Sequence, residues 1–216
     1  MLNIIIIGPQ GSGKGTQAKL VAKRYNLEHI EAGKLLRDLV KRGSPVGQKI
    51  NPYLLRGTLV PTRILLEEVL KPRLSKVPSE KGLVFDGIPR RLREAKALEK
   101  ILASLGRKIS YVFYVEISEK ETYERLGKRL TCRGCARPFI LGVDVADPEE
   151  QCPHCGSALY QREDDTEAAI IKRLQVFHRD TISVIEYFQK KNLVTRINGE
   201  QSIEKVHEDI IAVIGK

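Results

Sequence analysis

The sequence predicts a mainly parallel α/β fold carrying two insertions, and three observations predict it. Short apolar runs recur along the chain, helical stretches separate them, and the first run empties directly into a glycine-rich loop. The runs are NIIII at 3–7, GLVFDG at 82–87, YVFYVEI at 111–117 and NLVTRI at 192–197. The first is continuous and β-branched, as a strand covered on both faces must be. With 216 residues the chain suffices for one large domain with insertions. A chain of that size buries roughly 70% of its unfolded surface and needs no covalent staples.

The first strand ends at Gly8, and GPQGSGKGT (8–16) follows it. The spacing Gly8-x4-Gly13-Lys14 is that of a phosphate-binding P-loop. Glycines let backbone N–H groups converge on phosphate oxygens, the following helix adds its positive N-terminus, and Lys14 supplies a mobile cation. TQAKLVAKRY then has helical spacing, with Leu20 and Val21 turned away from Lys19 and Lys23. Gly15 stands where a Ser or Thr hydroxyl usually reaches Mg²⁺, and Thr16 comes one place later. The metal is therefore expected to be held through the nucleotide, through water and by Asp86, which ends the second strand. In such a sheet, ligands belong at the C-terminal ends of the strands.

Residues 31–60 read as helical but polar and basic, an excursion from the sheet. Residues 92–105 and 166–191 are helical stretches between strands. Residues 128–160 are rich in turns and carry all four cysteines, in CRGC (132–135) and CPHC (152–155). Two such knuckles in a chain of cytoplasmic type favour zinc over disulfides, and Cys132, Cys135, Cys152 and Cys155 can close a tetrahedron around one structural Zn²⁺. Between the knuckles the large apolar residues are only Phe139, Ile140, Leu141, Val143 and Val145, too few for an independent core, so a metal can hold the segment together. His154 reads as a bystander to that site.

Composition bounds the rest. Hydrophobic residues make up 42% and charged residues 30%, ordinary for a globular chain. No run is long enough to span a membrane and the N-terminus has no signal-peptide pattern, so a cytoplasmic protein without a membrane partner is expected. The formal charge of +10 favours an anionic partner, either nucleic acid or phosphorylated small molecules. The segment GVDVADPEE (142–150) is acidic, which argues against a nucleic-acid groove across the cysteine region.

GPQGSGKGT together with DGIPR (86–90) resembles the adenylate kinases, within the nucleoside monophosphate kinases of the long-lid type. HIEAGKLLRD (29–38), RGTLVP (56–61), RLGKRLTC (125–132), LYQREDD (159–165), IIKRL (170–174) and INGEQ (197–201) extend the resemblance over essentially the whole chain. It implies a P-loop core of residues 1–30, 61–127 and 166–216, a monophosphate-binding insertion of 31–60 and a zinc-bearing lid of 128–165. It also implies residue roles. Gly11, Ser12, Gly13, Lys14, Gly15 and Thr16 would wrap the phosphates of ATP, with Lys14 following the transferred group. Arg125 would lie on the ATP adenine, Gln201 would read its edge through the backbone, and Pro138 and Phe139 would add lid contacts. Arg37 and Arg90 would clamp the AMP phosphate, while Ala32, Thr58, Leu59, Val60, Gly87, Ile88, Pro89 and Glu94 would line its pocket. Arg129, Arg162 and Arg173 would close around the phosphates in transfer, the last two also reaching AMP. The activity implied is ATP + AMP ⇌ 2 ADP, with Mg²⁺ accompanying ATP, in a monomer.

The chemistry agrees with that resemblance. A monophosphate is nearly dianionic near neutral pH, its second pKa being about 6, so it attacks without a general base. What the reaction needs is alignment of two polyanions and neutralisation of charge on the moving group. Arginine suits this because its planar fork holds two oxygens at once. Water competes with the acceptor, so a lid that closes over both substrates is required.

Several residues depart from the family pattern. Glu94 stands where a Gln reads the adenine of AMP; an ionised carboxylate only accepts hydrogen bonds, and so suits guanine N1–H and N2–H or cytosine N4–H instead. Ala32 replaces a common Thr, Lys34 and Thr62 replace common acids, Ile88 replaces Phe, and Lys128 and Leu130 flank Arg129. The competing readings are thus a kinase for CMP, UMP or GMP and, from another class, a zinc-ribbon nucleic-acid-binding ATPase. A GTPase-like hydrolase lacks its Asn-Lys-x-Asp base-reading motif here.

Overall fold

A computed structural model describes residues 1–135, 137–162 and 165–215. Ala136, Lys216, and Glu163 and Asp164 of the LYQREDD motif lie outside the described residues. In chain order the elements are β1 (Asn3–Ile7), α1 (Lys14–Arg24), β2 (Glu28–Glu31), α2 (Ala32–Lys41) and α3 (Pro45–Leu55). A π-helical stretch, Ile64–Leu70, runs on into the short α4 (Lys71–Leu74), followed by β3 (Leu83–Asp86), α5 (Leu92–Ser104), β4 (Tyr111–Glu116) and α6 (Glu119–Gly127). The cysteine region forms β5 (Arg129–Cys132), β6 (Pro138–Ile140) and β7 (Leu159–Tyr160). Then come α7 (Glu167–Val176), a second π stretch Phe177–Thr181, α8 (Ile182–Gln189), β8 (Val194–Asn198) and α9 (Ile203–Ile214).

The main sheet is parallel throughout, in the order β2-β3-β1-β4-β8. β1 is the line where the chain's path reverses: β2 and β3 lie to one side, β4 and β8 to the other. That is where such sheets open a crevice at their carboxyl ends. Alternation along β1 explains its unbroken isoleucines. Ile5 and Ile7 join Phe85, Leu98 and Phe188 under α5 and α8, while Ile4 and Ile6 join Val21, Phe113 and Ile210 under α1 and α9. A strand buried on both faces has no polar positions to alternate with.

All four strands expected from the sequence are present within a residue or two. β2 was not expected, and its sequence EHIE shows why: it is an edge strand in which only Ile30 is buried. The stretch expected as one helix over 166–191 is helical from Glu167 to Gln189, but a π turn at Phe177–Thr181 interrupts its phase. Residues 31–60 form α2 and α3 once Glu31 has closed β2. Their buried Leu36 and Ile50 belong to the same apolar cluster as Phe85 and Leu98. Ser44 caps α3 by accepting from the Gly47 N–H, with Pro45 at its first turn.

The cysteine region makes a separate antiparallel sheet, β6-β5-β7, over its own small cluster of Leu130, Cys132, Phe139, Val145, Cys152 and Leu159. Val143, counted among its apolar residues from sequence, is 80% exposed.

Phe85 is fully buried between β1 and β2. Phe85→Ala is expected to lower stability by about 3–5 kcal/mol through lost burial and an unfilled cavity, measured by urea unfolding.

Candidate active site

The loop after β1 takes its shape from two glycines in the left-handed region, Gly11 (φ 83°) and Gly13 (φ 81°). Gly8 is equally constrained by space. A Cβ there would meet Ser12 Oγ and the Val115 carbonyl oxygen, each at 2.5 Å. α1 has no side-chain cap and no acid in its first turn, so its leading N–H groups and dipole face the loop uncompensated. Ser12 is 2% exposed, and its hydroxyl has no hydrogen-bond partner among the described residues. Lys14 Nζ donates to the Pro9 carbonyl (3.0 Å). A nest of donors around an ammonium suits a polyanion.

Burial lowers the Lys14 pKa from 10.5 to about 8, against the opposing pull of Asp86; Arg90, Arg129 and Arg173 lower it further. Arg90 is itself lowered by burial, with Asp86 and Glu94 opposing and Arg37 and Arg173 adding to the shift. Burial lowers Arg129 too, with Asp165 opposing and Arg162 and Arg173 contributing. Lys14, Arg37, Arg90, Arg129, Arg162 and Arg173, which lie far apart in sequence, thus form one set of mutually repelling cations around the loop. Asp165 anchors part of it. With a fully buried side chain, it accepts from Arg129 Nε (2.7 Å) and Nη2 (2.5 Å) and from Arg173 Nη2 (2.9 Å). The sequence reading passed over Asp165, whose one signal was its place in LYQREDD.

Asp86 ends β3 opposite Glu31 of β2, and His29 shares Glu31's face two residues earlier. The ligand atoms of these three lie within 4.8 Å of one another, and His29 Nε2 is buried without a hydrogen-bond partner 3.9 Å from Asp86. Burial raises the Asp86 pKa, but His29 and Lys14 outweigh it and hold the carboxyl below its ordinary value. Two carboxylates and an imidazole nitrogen gathered this closely fit a divalent cation. His29 and Glu31 were not singled out from sequence because their strand was not seen.

On the acceptor side, Arg37 Nη2 approaches Glu31 at 3.4 Å and Arg90 Nε donates to the Gly87 carbonyl (2.9 Å). Thr58 Oγ1 donates to Tyr53, and the Val60 carbonyl accepts from Arg91 Nη1 (3.2 Å). Ala32 and Pro89 are buried, and Ile88 packs into the main core, leaving mainly its backbone to face a ligand. The structure gives Glu94 a job the sequence did not assign. It is 1% exposed, and its Oε2 accepts from the Arg90 N–H (2.8 Å) and the Arg91 N–H (3.3 Å), closing a capping box on α5. Burial raises its pKa against these bonds.

Arg125 bridges the P-loop to the β8–α9 turn, with Nη1 on the Gly11 carbonyl (3.3 Å) and Nη2 on that of Gly199 (2.9 Å). Gln201 spends its side-chain amide on Asn198 and Asp209, which leaves its backbone for a base. Pro138 is exposed, whereas Phe139 turns its ring into the small cysteine-region core beside His154.

In that region Cys132 Sγ lies 3.3 Å from Cys155 Sγ and Cys135 Sγ lies 3.7 Å from Cys152 Sγ, all four within 4.8 Å of one another. A tetrahedron with arms of about 2.3 Å separates its sulfurs by about 3.8 Å, so the set fits zinc closely. Hydrogen bonds from Ser157 lower Cys155 to about 6, which makes one thiolate available near neutral pH. His154 is not part of the ligand cluster.

The family model described as adenylate kinase matches residues 6–193. Adenylate kinase of Methanocella arvoryzae is 40% identical over 215 residues, which are 100% of this chain and 99% of that protein. The proteins of the same name from Methanothrix thermoacetophila and Thermosipho africanus are 39% and 38% identical, again over 99% or more of both partners.

Two outcomes follow from this geometry. Below pH 8 the folded protein holds a Lys14 charge at a cost that the unfolded chain escapes; between about 8 and 10.5 the folded side chain loses its proton first, so stability rises with pH there. Lys14→Met is expected to abolish transfer yet raise stability at pH 7. The gain is at most about 3 kcal/mol, less for a partly exposed side chain, and fades as pH climbs through that window in denaturant titrations. Cys152→Ser is expected to abolish zinc binding by the cysteine cluster and lower Tm; an unchanged metal content by atomic emission together with an unchanged melting curve would sink the zinc assignment.

Proposed function

The chain belongs to the adenylate kinase family and is an ATP:AMP phosphotransferase, and we propose that the six clustered cations, with Asp86, perform its reaction ATP + AMP ⇌ 2 ADP. The observation that carries this assignment of residues is that Asp165 holds both Arg129 and Arg173 beside the glycine-rich loop that ends in Lys14. A protein gathers so many like charges where a polyanion will neutralise them.

In this reading residues 11–16 wrap the ATP phosphates, and Arg125 and the Gln201 backbone hold its adenine. Lys14 follows the phosphoryl group. Arg37 and Arg90 hold the AMP phosphate in line, and Arg129, Arg162 and Arg173 neutralise the charge that spreads over the moving group. Mg²⁺, when bound with ATP, supplies further neutralisation at the phosphate oxygens, and Asp86 with His29 and Glu31 would hold it. No general base is needed, because the AMP phosphate is already anionic. Residues 31–60 act as the acceptor-binding insertion, residues 128–165 as a lid that excludes water, and a Zn²⁺ on the four cysteines keeps the lid folded without touching substrate. Ala32, Thr58, Leu59, Val60, Gly87 and Glu94 line the acceptor pocket, and Glu94 contributes first through its hold on Arg90. The reading carries with it a cytoplasmic monomer without nucleic-acid or membrane partners, on the family resemblance and the acidic 142–150 segment.

The test is to supply Mg-ATP with AMP, GMP, CMP or UMP separately and to follow ADP formation against a control without acceptor. AMP is expected to exceed the others by at least about a hundredfold in kcat/KM, the discrimination available to a site that hydrogen-bonds its substrate. Faster turnover with another monophosphate would overturn AMP as acceptor, and no acceptor-dependent turnover would overturn the kinase assignment.

A further inference from the structure

Arg90 is fixed by its backbone as well as by its side chain. Its N–H donates to Glu94 Oε2 at 2.8 Å, and its carbonyl accepts from Thr181 Oγ1 at 3.1 Å. The first contact is local, from the start of α5. The second comes from 91 residues away in sequence, out of the π stretch Phe177–Thr181. Thr181 is buried, so its hydroxyl has no water to turn to. The neighbouring Asp180 approaches Arg91 at 3.9 Å, and Arg91 in turn donates to the Val60 carbonyl. Consecutive residues 180 and 181 therefore clasp consecutive residues 91 and 90.

The π turn is what makes this clasp possible. Arg173 and Thr181 lie on one helical run, eight residues apart. In an unbroken α-helix, residues eight apart differ by about 80° around the axis. A π turn, closing i→i+5, inserts a residue and resets that phase, and such turns concentrate at functional sites. Here Arg173 faces Asp165 while Thr181 faces the Arg90 carbonyl. One rigid element thus sets the position of two arginines, one that it carries and one that it grips.

We propose that Thr181 is a positioning residue for Arg90, delivered by the π turn so that Arg90 and Arg173 keep a fixed separation around the phosphoryl group. The proposal rests on the reading of Arg90 as an acceptor-phosphate clamp. It goes beyond that reading in assigning a role to a residue whose side chain is spent on the Arg90 backbone. Threonine suits the task because its β-branched side chain is stiff at χ1 and its hydroxyl can donate to a carbonyl.

The test uses the intact, metal-replete chain with Thr181→Val, Thr181→Ser, Arg90→Lys and the Val/Lys double variant, read by steady-state kinetics with AMP and ATP varied in turn. Thr181→Val leaves the Arg90 carbonyl buried without its donor, and kcat/KM for AMP should fall by about tenfold while KM for ATP holds. Thr181→Ser should recover most of that loss. In the Arg90→Lys background the valine should add little, since residues acting through one another are not additive. Equal loss toward both nucleotides, an additive double variant, or a drop in melting temperature with kinetics unchanged would each overturn the proposal. Should the valine variant fold poorly, Thr181→Ala must give the same split between AMP and ATP or the proposal falls. Intact transfer in Arg90→Lys alone would instead overturn the clamp reading on which it stands.

Discussion

Everything at the carboxyl end of this sheet is shaped by one electrostatic problem: six cations must be gathered within reach of one another and kept there before any phosphate arrives. Repulsion and burial push Lys14, Arg90 and Arg129 toward deprotonation. Among the described residues, four carboxylates oppose them. Asp86 sits below Lys14, Asp165 holds Arg129 and Arg173, Glu94 lies behind Arg90, and Glu31 partners Arg37. Each carboxylate is buried or half-buried, where its attraction is least screened. The elements that deliver them, β2, β3, α5 and the run into α7, are set by the core only to the extent that they can carry these four acids to one place.

That distinction explains what was legible in the sequence. β1, β3 and β4 could be read because a strand buried on both faces is a short apolar run, β8 from its Leu193, Val194 and Ile197, and the P-loop because its glycines are conformational requirements. β2 could not, because an edge strand bearing Glu28, His29 and Glu31 has no apolar alternation to detect. The cluster it forms with Asp86 was hidden with it. Asp165 and Thr181 escaped for a different reason. Their roles consist of contacts to residues tens of positions away, and no local pattern encodes such a partner. Glu94 was noticed from sequence for its position opposite a base, and the fold also uses it to cap a helix; one carboxylate has two oxygens, and Oε2 is committed to backbone.

The cysteine region follows a different economy of forces. Its six-residue apolar cluster includes two of the cysteines themselves, so the packing and the ligand set share Cys132 and Cys152. A sheet of strands two to four residues long offers few ladder bonds, and β5 spans both purposes, beginning with Arg129 and ending with Cys132. Four thiolates on one ion would fix the far end of β5, and with it the direction from which Arg129 leaves the strand. Arg129 and the first of the four cysteines thus share one short strand.

How the arginines are held decides what they can still offer. Arg90 gives Nε to Gly87, and Arg129 gives Nε and Nη2 to Asp165. A guanidinium carries five N–H donors in a rigid plane, so using Nε and one edge fixes its orientation and leaves the remaining edge aimed. Lysine could not be treated this way, since its ammonium has no plane to fix. The set contains a single lysine, and it rests on the Pro9 carbonyl, a neutral partner it can leave without stranding a charge. Anchored forks around one mobile ammonium provide orientation in advance of binding, which is where electrostatic catalysis gains most, because no reorganisation remains to be done when the phosphoryl group moves.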